Sequence, residues 1–381
     1  MEGTVSAKTQ PELRSWSGND QFKNDLSKND LLRNDLRDRS GRFLRCPGCG
    51  ARGDWAQSSW NCESCARQFP VHGSVVDFRV LPARADLSFA HLETARSEQE
   101  RVKRGLALAA TTDFSALVDR YFAEFPTSAQ IERSEKATLL NADANAREWL
   151  YQIEQEIPVS ALAARPGSVF LEIGCGTAGI SCALAGRFET VIALDADLDR
   201  LILAQKHCQD LGVANALLLC AFGEALPLAP DATDFVTCIE VLEHAAEQRR
   251  LLAELQRTLS PGGWLYLTTP NRFTLGREPH VHLWGVGWLP RRWMDGYVRF
   301  RRGLPYTGKR NLSYGELSCM LRAVFRDRFA FCREQRTHYT RQARLANRLL
   351  RIPGLRRFLP RLLAGFHAKA EKGASPVAST S

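Results

Sequence analysis

A chain of 381 residues has room for one large catalytic domain and a small module, and 44% hydrophobic with 24% charged residues is ordinary for a soluble protein with a sizeable core. No apolar run approaches the roughly 20 residues needed to cross a bilayer, which excludes a helical membrane span. The net charge of +9 is unevenly spread: from Arg291 to Leu362 there are 19 Lys or Arg against 4 Asp or Glu, so a partner of that region is expected to be anionic.

The chain starts with a polar stretch, Met1 to Leu13, that has no apolar core or small-residue cleavage site, so a cytoplasmic location is expected. Asn-Asp recurs at 19–20, 24–25, 29–30 and 34–35, a five-residue period that suits neither a helix face nor a solenoid. Residues 1–41 therefore read as a solvated low-complexity tail.

Residues 42–80 form a cysteine-rich unit. Cys46-Pro47-Gly48-Cys49 and Cys62-Glu63-Ser64-Cys65 are twelve residues apart, a spacing at which four thiolates close a tetrahedral structural Zn²⁺ site. So short a unit cannot bury enough core alone, and the metal would supply its folding energy. The stretch CESCARQFPVHGSVVDF (62–78) resembles the short zinc ribbons fused to or paired with bacterial methyltransferases. The other seven of the eleven cysteines are scattered, which argues against a disulfide scaffold. Cys182, Cys220 and Cys238 read as small buried hydrophobes.

Residues 81–160 carry apolar positions at helical spacing, such as Phe114, Leu117, Val118, Tyr121 and Phe122, and predict helices that cap or precede the main domain, 161–373. From Ser168 the pattern changes to the short apolar runs VFLEIG, TVIALD, ALLLCA, FVTCIE and WLYLTT, separated by helical stretches. That rhythm implies βαβ units and a parallel sheet with helices on both faces.

Gly174, Gly176 and Gly179 give G-x-G-x-x-G between the first of these strands and a helix starting near Ile180. Glycine lets the backbone approach a nucleotide closely, and Asp195, closing the next strand, can accept ribose hydroxyls. NAD would fit those features too. Glu172, two residues before the first glycine, favours a cationic amino-acid ligand over a pyrophosphate. The string 171–179 resembles motif I of class I S-adenosylmethionine-dependent methyltransferases, and the likeness continues through Phe222-Gly223-Glu224-Ala225-Leu226-Pro227, the strand ending at Glu240, and Leu259-Ser260-Pro261-Gly262-Gly263. It implies a Rossmann-like, seven-stranded α/β fold with a small N-terminal zinc ribbon. It also implies an S-adenosylmethionine site built from Glu172, Gly174, Cys175, Gly176, Asp195, Phe222, Gly223 and Glu240.

Glu240-Val241-Leu242-Glu243-His244 follows the fourth strand of that fold, where the family places the methyl group and substrate. The string resembles ubiquinone-pathway O-methyltransferases and small-RNA 2′-O-methyltransferases. On a helix start, Glu240, Glu243 and His244 would share one face and suit a divalent metal, with His280 or His282 completing the shell. The other readings are that His244 serves as a base or orienting group, or is structural.

Near the end, strand six is placed at Phe329 to Glu334 and strand seven at Gly365 to Lys372, before a tail at 374–381. Between the two strands, residues 341–362 alternate leucines with arginines. They are compatible with peripheral contact to an anionic membrane surface, with phosphates of RNA or of a lipid-linked sugar, or with a helix packed on its own domain. The leading expectation is methyl transfer to an O or N acceptor on a small molecule, sugar or lipid-linked intermediate, and the alternative is an RNA methyltransferase.

Overall fold

The computed structural model describes residues 40–80, 95–124, 129–333 and 359–373. The low-complexity tail (save Ser40 and Gly41), most of the arginine-lined stretch 341–362 and the tail 374–381 lie outside the described residues. Four short strands, β1 (Gly53–Trp55), β2 (Ser59–Cys62), β3 (Gln68–His72) and β4 (Val75–Asp77), form an antiparallel meander. Helices α1 (Ala95–Ala109), α2 (Phe114–Glu124), α3 (Ala129–Leu140), α4 (Ala142–Glu154) and α5 (Val159–Ala163) follow.

The alternating part comes next: β5 (Val169–Ile173), α6 (Gly179–Leu184), β6 (Thr190–Asp195), α7 (Leu198–Asp210), β7 (Ala216–Cys220), β8 (Thr233–Ile239), α8 (Gln248–Thr258) and β9 (Leu259–Pro270). An excursion with α9 (Arg291–Arg302) leads to α10 (Tyr314–Phe325), β10 (Phe329–Cys332) and β11 (Gly365–Glu371). The strand order is β1-β2-β3-β4-β7-β6-β5-β8-β9-β11-β10. From β7 to β10 this is the expected seven-stranded sheet, parallel except for β11, which runs antiparallel to both β9 and β10.

Helices cover both faces, so the central strands are apolar at almost every position. β5 is buried throughout. Leu171 and Ile173 face a core shared with Leu251, Leu255 and Leu321 of α8 and α10, whereas Phe170 faces Ile153, Leu162 and Leu184 of α4 to α6. The two-residue period of the strand assigns the faces. Local signals set the helix ends. Asp197 caps α7 by accepting from Arg200 N, Ser313 and Glu316 form a reciprocal capping box at α10, and Gly303 at φ 70° ends α9.

The cysteine-rich unit is less separate than its sequence suggests. β4 pairs in parallel with β7, Val75 opposite Leu218 and Asp77 opposite Cys220, so the unit extends the main sheet. Trp60, Phe69 and Phe78 pack with centroids 4.9–5.8 Å apart in the same core as Leu219, Leu228 and Leu255. Backbone bonds from Arg45 N to Pro227 O and from Ala229 N to Phe43 O clamp its other side. One core serves both parts.

Candidate functional site

Strand order reverses between β5 and β8, because β6 and β7 lie on one side of β5 while β8 and β9 lie on the other. At such a switch point the loops leaving the carboxyl ends of the strands diverge and leave a crevice. Gly174, Asp195, Phe222 and Glu240 each stand at or just beyond such a strand end. The structure therefore brings the sequence-predicted donor residues to one edge.

The three motif glycines have different jobs. A Cβ on Gly174 would meet Val241 Cγ2 at 2.2 Å, and one on Gly179 would meet the Ala142 carbonyl oxygen at 2.9 Å, so both permit close packing. Gly176, at φ 52°, would meet nothing within 4 Å. It borders open space that a ligand can use. Its N–H donates to Asp195 Oδ2 at 2.8 Å, and Asp197 N donates to Oδ1 at 3.0 Å. Each carboxylate oxygen keeps a further lone pair for a hydroxyl. Burial, and then Asp197, raise the Asp195 carboxyl above the usual range. An open cradle beside a carboxylate held in place by backbone is the arrangement a ribose requires, so these residues fit S-adenosylmethionine.

Several residues of the expected donor site have contacts within the fold. Glu172 is buried and turns to the first turn of α6, where its Oε2 accepts from Ser181 N at 2.8 Å and Ser181 Oγ at 2.7 Å. Its carboxylate anchors the helix that follows the loop. Cys175 is buried, and burial with Asp195 nearby keeps its thiol protonated. A Cβ on Gly223 would meet Leu251 Cδ1 at 2.6 Å, a packing constraint, and Phe222 is half-buried ahead of a single tight turn.

Burial pushes the Glu172 carboxyl up to about 7, against the opposing hydrogen bonds from Ser181. The folded chain therefore holds a proton there that the unfolded chain releases from about pH 4.5 upward. This contribution is complete below that pH and is lost as pH rises through about 7. Glu172→Gln should remove up to about 3 kcal/mol of that pH dependence, read as urea midpoints at pH 5 and pH 8. Parallel pH profiles for variant and wild type would count against it.

The acceptor side departs from the expected helix face. Glu240 has φ 55° and Leu242–His244 is one tight turn, so Glu240, Glu243 and His244 share no helical face. Glu240 Oε1 instead accepts from Thr268 Oγ1 at 2.9 Å, on the neighbouring strand β9. The residues that do converge are Glu243, His244 and His280, whose ligating atoms all lie within 4.8 Å of one another. His282 does not join them; it is exposed, and its backbone N–H donates to Glu278 O.

Glu278, which sequence reasoning missed, organises this cluster. Its Oε1 lies 2.6 Å from His280 Nδ1 and also accepts from Asn311 Nδ2 and Tyr306 Oη. Its Oε2 accepts from the backbone N–H groups of His280 and Val281. Burial opposes ionisation, but these bonds and His280 hold its carboxyl down at about 2. A fixed carboxylate on Nδ1 leaves His280 Nε2 as the free nitrogen. Glu243 Oε2 accepts from Thr269 Oγ1 at 2.9 Å, while its buried Oε1 has no hydrogen-bond partner among the described residues. Burial, and then Glu240, push the Glu243 carboxyl up to about 8. His244 is pushed down to about 4 by burial and then by His280, so its imidazole is neutral near pH 7.

The four cysteines of the ribbon also converge. Cys46 and Cys65 sulfurs are 3.7 Å apart and those of Cys49 and Cys62 3.4 Å. A tetrahedron with Zn–S of about 2.3 Å places its sulfurs ~3.8 Å apart, so the cluster fits zinc. Ser64 and Cys65 N–H groups point at the Cys62 sulfur, each at 3.4 Å. Burial raises that thiol, but these donors outweigh it and bring it down to about 6, favouring the thiolate a metal needs.

Known proteins similar to this chain include methyltransferases. A family model described as a methyltransferase domain matches residues 171–267. Ubiquinone biosynthesis O-methyltransferase of Thiobacillus denitrificans is 32% identical over 114 residues, covering 30% of this chain and 49% of that protein. The enzyme of the same name from Pseudomonas syringae pv. tomato is 31% identical over 120 residues, covering 32% and 50%. The chain thus spans about half the length of the curated relatives it matches. A solved SAM-dependent methyltransferase from Aquifex aeolicus is similar over 62% of this chain and 97% of its own, at 15% identity and a TM-score of 0.37. Residues 171–267, with their glycine loop, Asp195 and the seven-stranded sheet around them, are thus similar to a methyltransferase domain.

Proposed function

We propose that the chain transfers a methyl group from S-adenosylmethionine to an oxygen of a small or lipid-linked acceptor, with His280 and Glu278 removing the acceptor's proton. The observation that carries this reading is the Glu278–His280 pair, 2.6 Å apart, beside Glu243 and His244 at the end of β8. A neutral hydroxyl attacks a sulfonium methyl poorly. As the new C–O bond forms and the S–CH₃ bond breaks, the hydroxyl proton passes to His280 Nε2. The Glu278 carboxylate stabilises the imidazolium, and neutral S-adenosylhomocysteine leaves. Asp195 holds the ribose, and Gly176 leaves room for the donor's approach. The name of the relatives, O-methyltransferase, supports oxygen over nitrogen.

A second reading, exclusive of that proton transfer because an imidazole bound through Nε2 can take no proton, is a divalent cation on Glu243, His244 and His280: one carboxylate oxygen makes no hydrogen bond among the described residues, one imidazole is neutral, and the other has the carboxylate behind it that metal-bound histidines usually have. When bound, such an ion would lower the pKa of the acceptor hydroxyl. The four-cysteine cluster is assigned a structural zinc.

The test is His280→Ala, assayed with tritiated S-adenosylmethionine and a catechol as acceptor probe, beside calorimetry of donor binding. We expect the rate to fall by about 10²- to 10⁴-fold with donor affinity unchanged. Full activity in this variant, or a wild type that does not bind the donor, would overturn the proposal. Dialysis against a chelator followed by Mn²⁺ titration reads the cation separately.

A further inference from the structure

The excursion between β9 and α10 has a second character that methyl transfer does not use. Apart from Leu140 and Tyr151, every exposed large hydrophobic side chain among the described residues falls in it: Leu275, Trp284, Trp288, Trp293, Phe300 and Leu304. Phe300 is 86% exposed and Trp284 64%. Trp293 and Phe300 are seven residues apart on α9, hence on one side of the helix, with Gly296 between them. The inner side of α9 is accounted for, since Met294 and Val298 pack on Leu283 and Val286.

Two of the three exposed indoles have their N–H groups satisfied within the fold. Trp284 Nε1 donates to Leu275 O and Trp288 Nε1 to Thr274 O. Those two indoles therefore expose carbon and need no water at their N–H, while Trp293 keeps an amphipathic ring, apolar body and polar N–H, of the kind that suits a bilayer interface. From Arg291 to Arg310 there are seven basic residues and one acid, Asp295. Most of the arginines are exposed beside the aromatic stripe.

The geometry points to an interfacial docking surface: α9 and the loop before it bind the anionic face of a lipid bilayer, with Trp293 and Phe300 entering the headgroup region and the flanking arginines meeting lipid phosphates. A second copy of the chain would bring like charges together. The leucines at 275 and 304 offer no π face to a nucleic-acid base. Exposed aromatic carbon ringed by arginine matches a membrane interface. The surface is also tied to the proposed acceptor site, because Arg302 donates to the Val281 and His282 carbonyls beside His280. This differs from the expected membrane contact at 341–362, most of which lies outside the described residues.

The experiment is sedimentation of the full chain with phosphatidylcholine vesicles with and without phosphatidylglycerol, compared with the double variant Trp293→Ser, Phe300→Ser. The wild type should bind the phosphatidylglycerol vesicles and release them at high salt. The variant should bind more weakly by about tenfold or more for each aromatic lost, with unchanged thermal midpoint and S-adenosylmethionine affinity. The inference fails if the wild type ignores the anionic vesicles, or if the variant binds them equally. It also fails if polyuridylate displaces the wild type from them, marking a nucleic-acid surface, or if the variant only converts a dimer to a monomer. Donor affinity is read in the same samples, so a failure here is distinguishable from failure of the methyl-transfer proposal.

Discussion

Cys62→Ser is expected to unfold the whole described domain cooperatively near physiological temperature, not the N-terminal meander alone. Structural zinc in small modules contributes about 10–16 kcal/mol of apparent folding free energy near neutral pH, against a typical domain stability of about 5–15 kcal/mol. In an independent module that loss would stay local. Here β4 is hydrogen-bonded to β7, and Trp60, Phe69 and Phe78 lie in one core with Leu219 and Leu255. Disordering the meander would expose that core and leave β7, next to the strand that ends at Asp195, as a bare sheet edge. Differential scanning calorimetry with metal analysis reads the outcome. The wild type should carry one zinc and show one transition, while the variant should lose the metal, the transition and donor binding together. A metal-free wild type with the same midpoint would refute the zinc assignment, and a variant that loses zinc but keeps donor affinity would refute the coupling.

Asp195→Ala should weaken S-adenosylmethionine binding by about 100- to 1,000-fold, the loss expected for two charge-assisted hydrogen bonds to hydroxyls. The carboxylate has a second task, since it accepts from Gly176 N and fixes the turn of the loop. Asp195→Asn separates the two, because the amide oxygen can still take one donor. The asparagine variant should fall between alanine and wild type. Titration calorimetry supplies the affinities, and thermal midpoints within a few degrees of wild type confirm that the fold survives. Donor affinity unchanged by the alanine variant would remove Asp195 from the site.

The alternating strands were legible because β5, β6 and β8 are buried on both faces and so read as continuous apolar runs. The places of Gly176 in the turn and of Asp195 at the strand end were legible for a similar reason: a tight strand-to-helix turn beside an acidic strand end constrains residue type locally. The partner of Glu172 within the fold was not legible: its carboxylate accepts from Ser181, nine residues on in the following helix. The pairing of β4 with β7 could not be read from three residues, Val75 to Asp77, which are too few to show a period. Nor could the convergence of His280 on Glu243 and His244. It depends on the excursion after β9, where contacts such as Asn311 and Tyr306 to Glu278 set the backbone and no repeating pattern marks the fold. The helix expected at Glu240 failed at one residue, which takes a left-handed conformation and turns the chain instead.

The pairing of β4 with β7 also sets a timetable for synthesis. Val75 leaves the ribosome roughly 140 residues ahead of its partner Leu218, which at about 5–20 residues per second is on the order of ten to thirty seconds. Through that interval the meander presents an unpaired strand edge and the apolar faces of Trp60 and Phe69 with nothing to cover them. A metal-bound cluster would hold the segment in a defined shape while it waits, so cells short of zinc should accumulate aggregates of the nascent chain before any shortage of finished enzyme becomes visible.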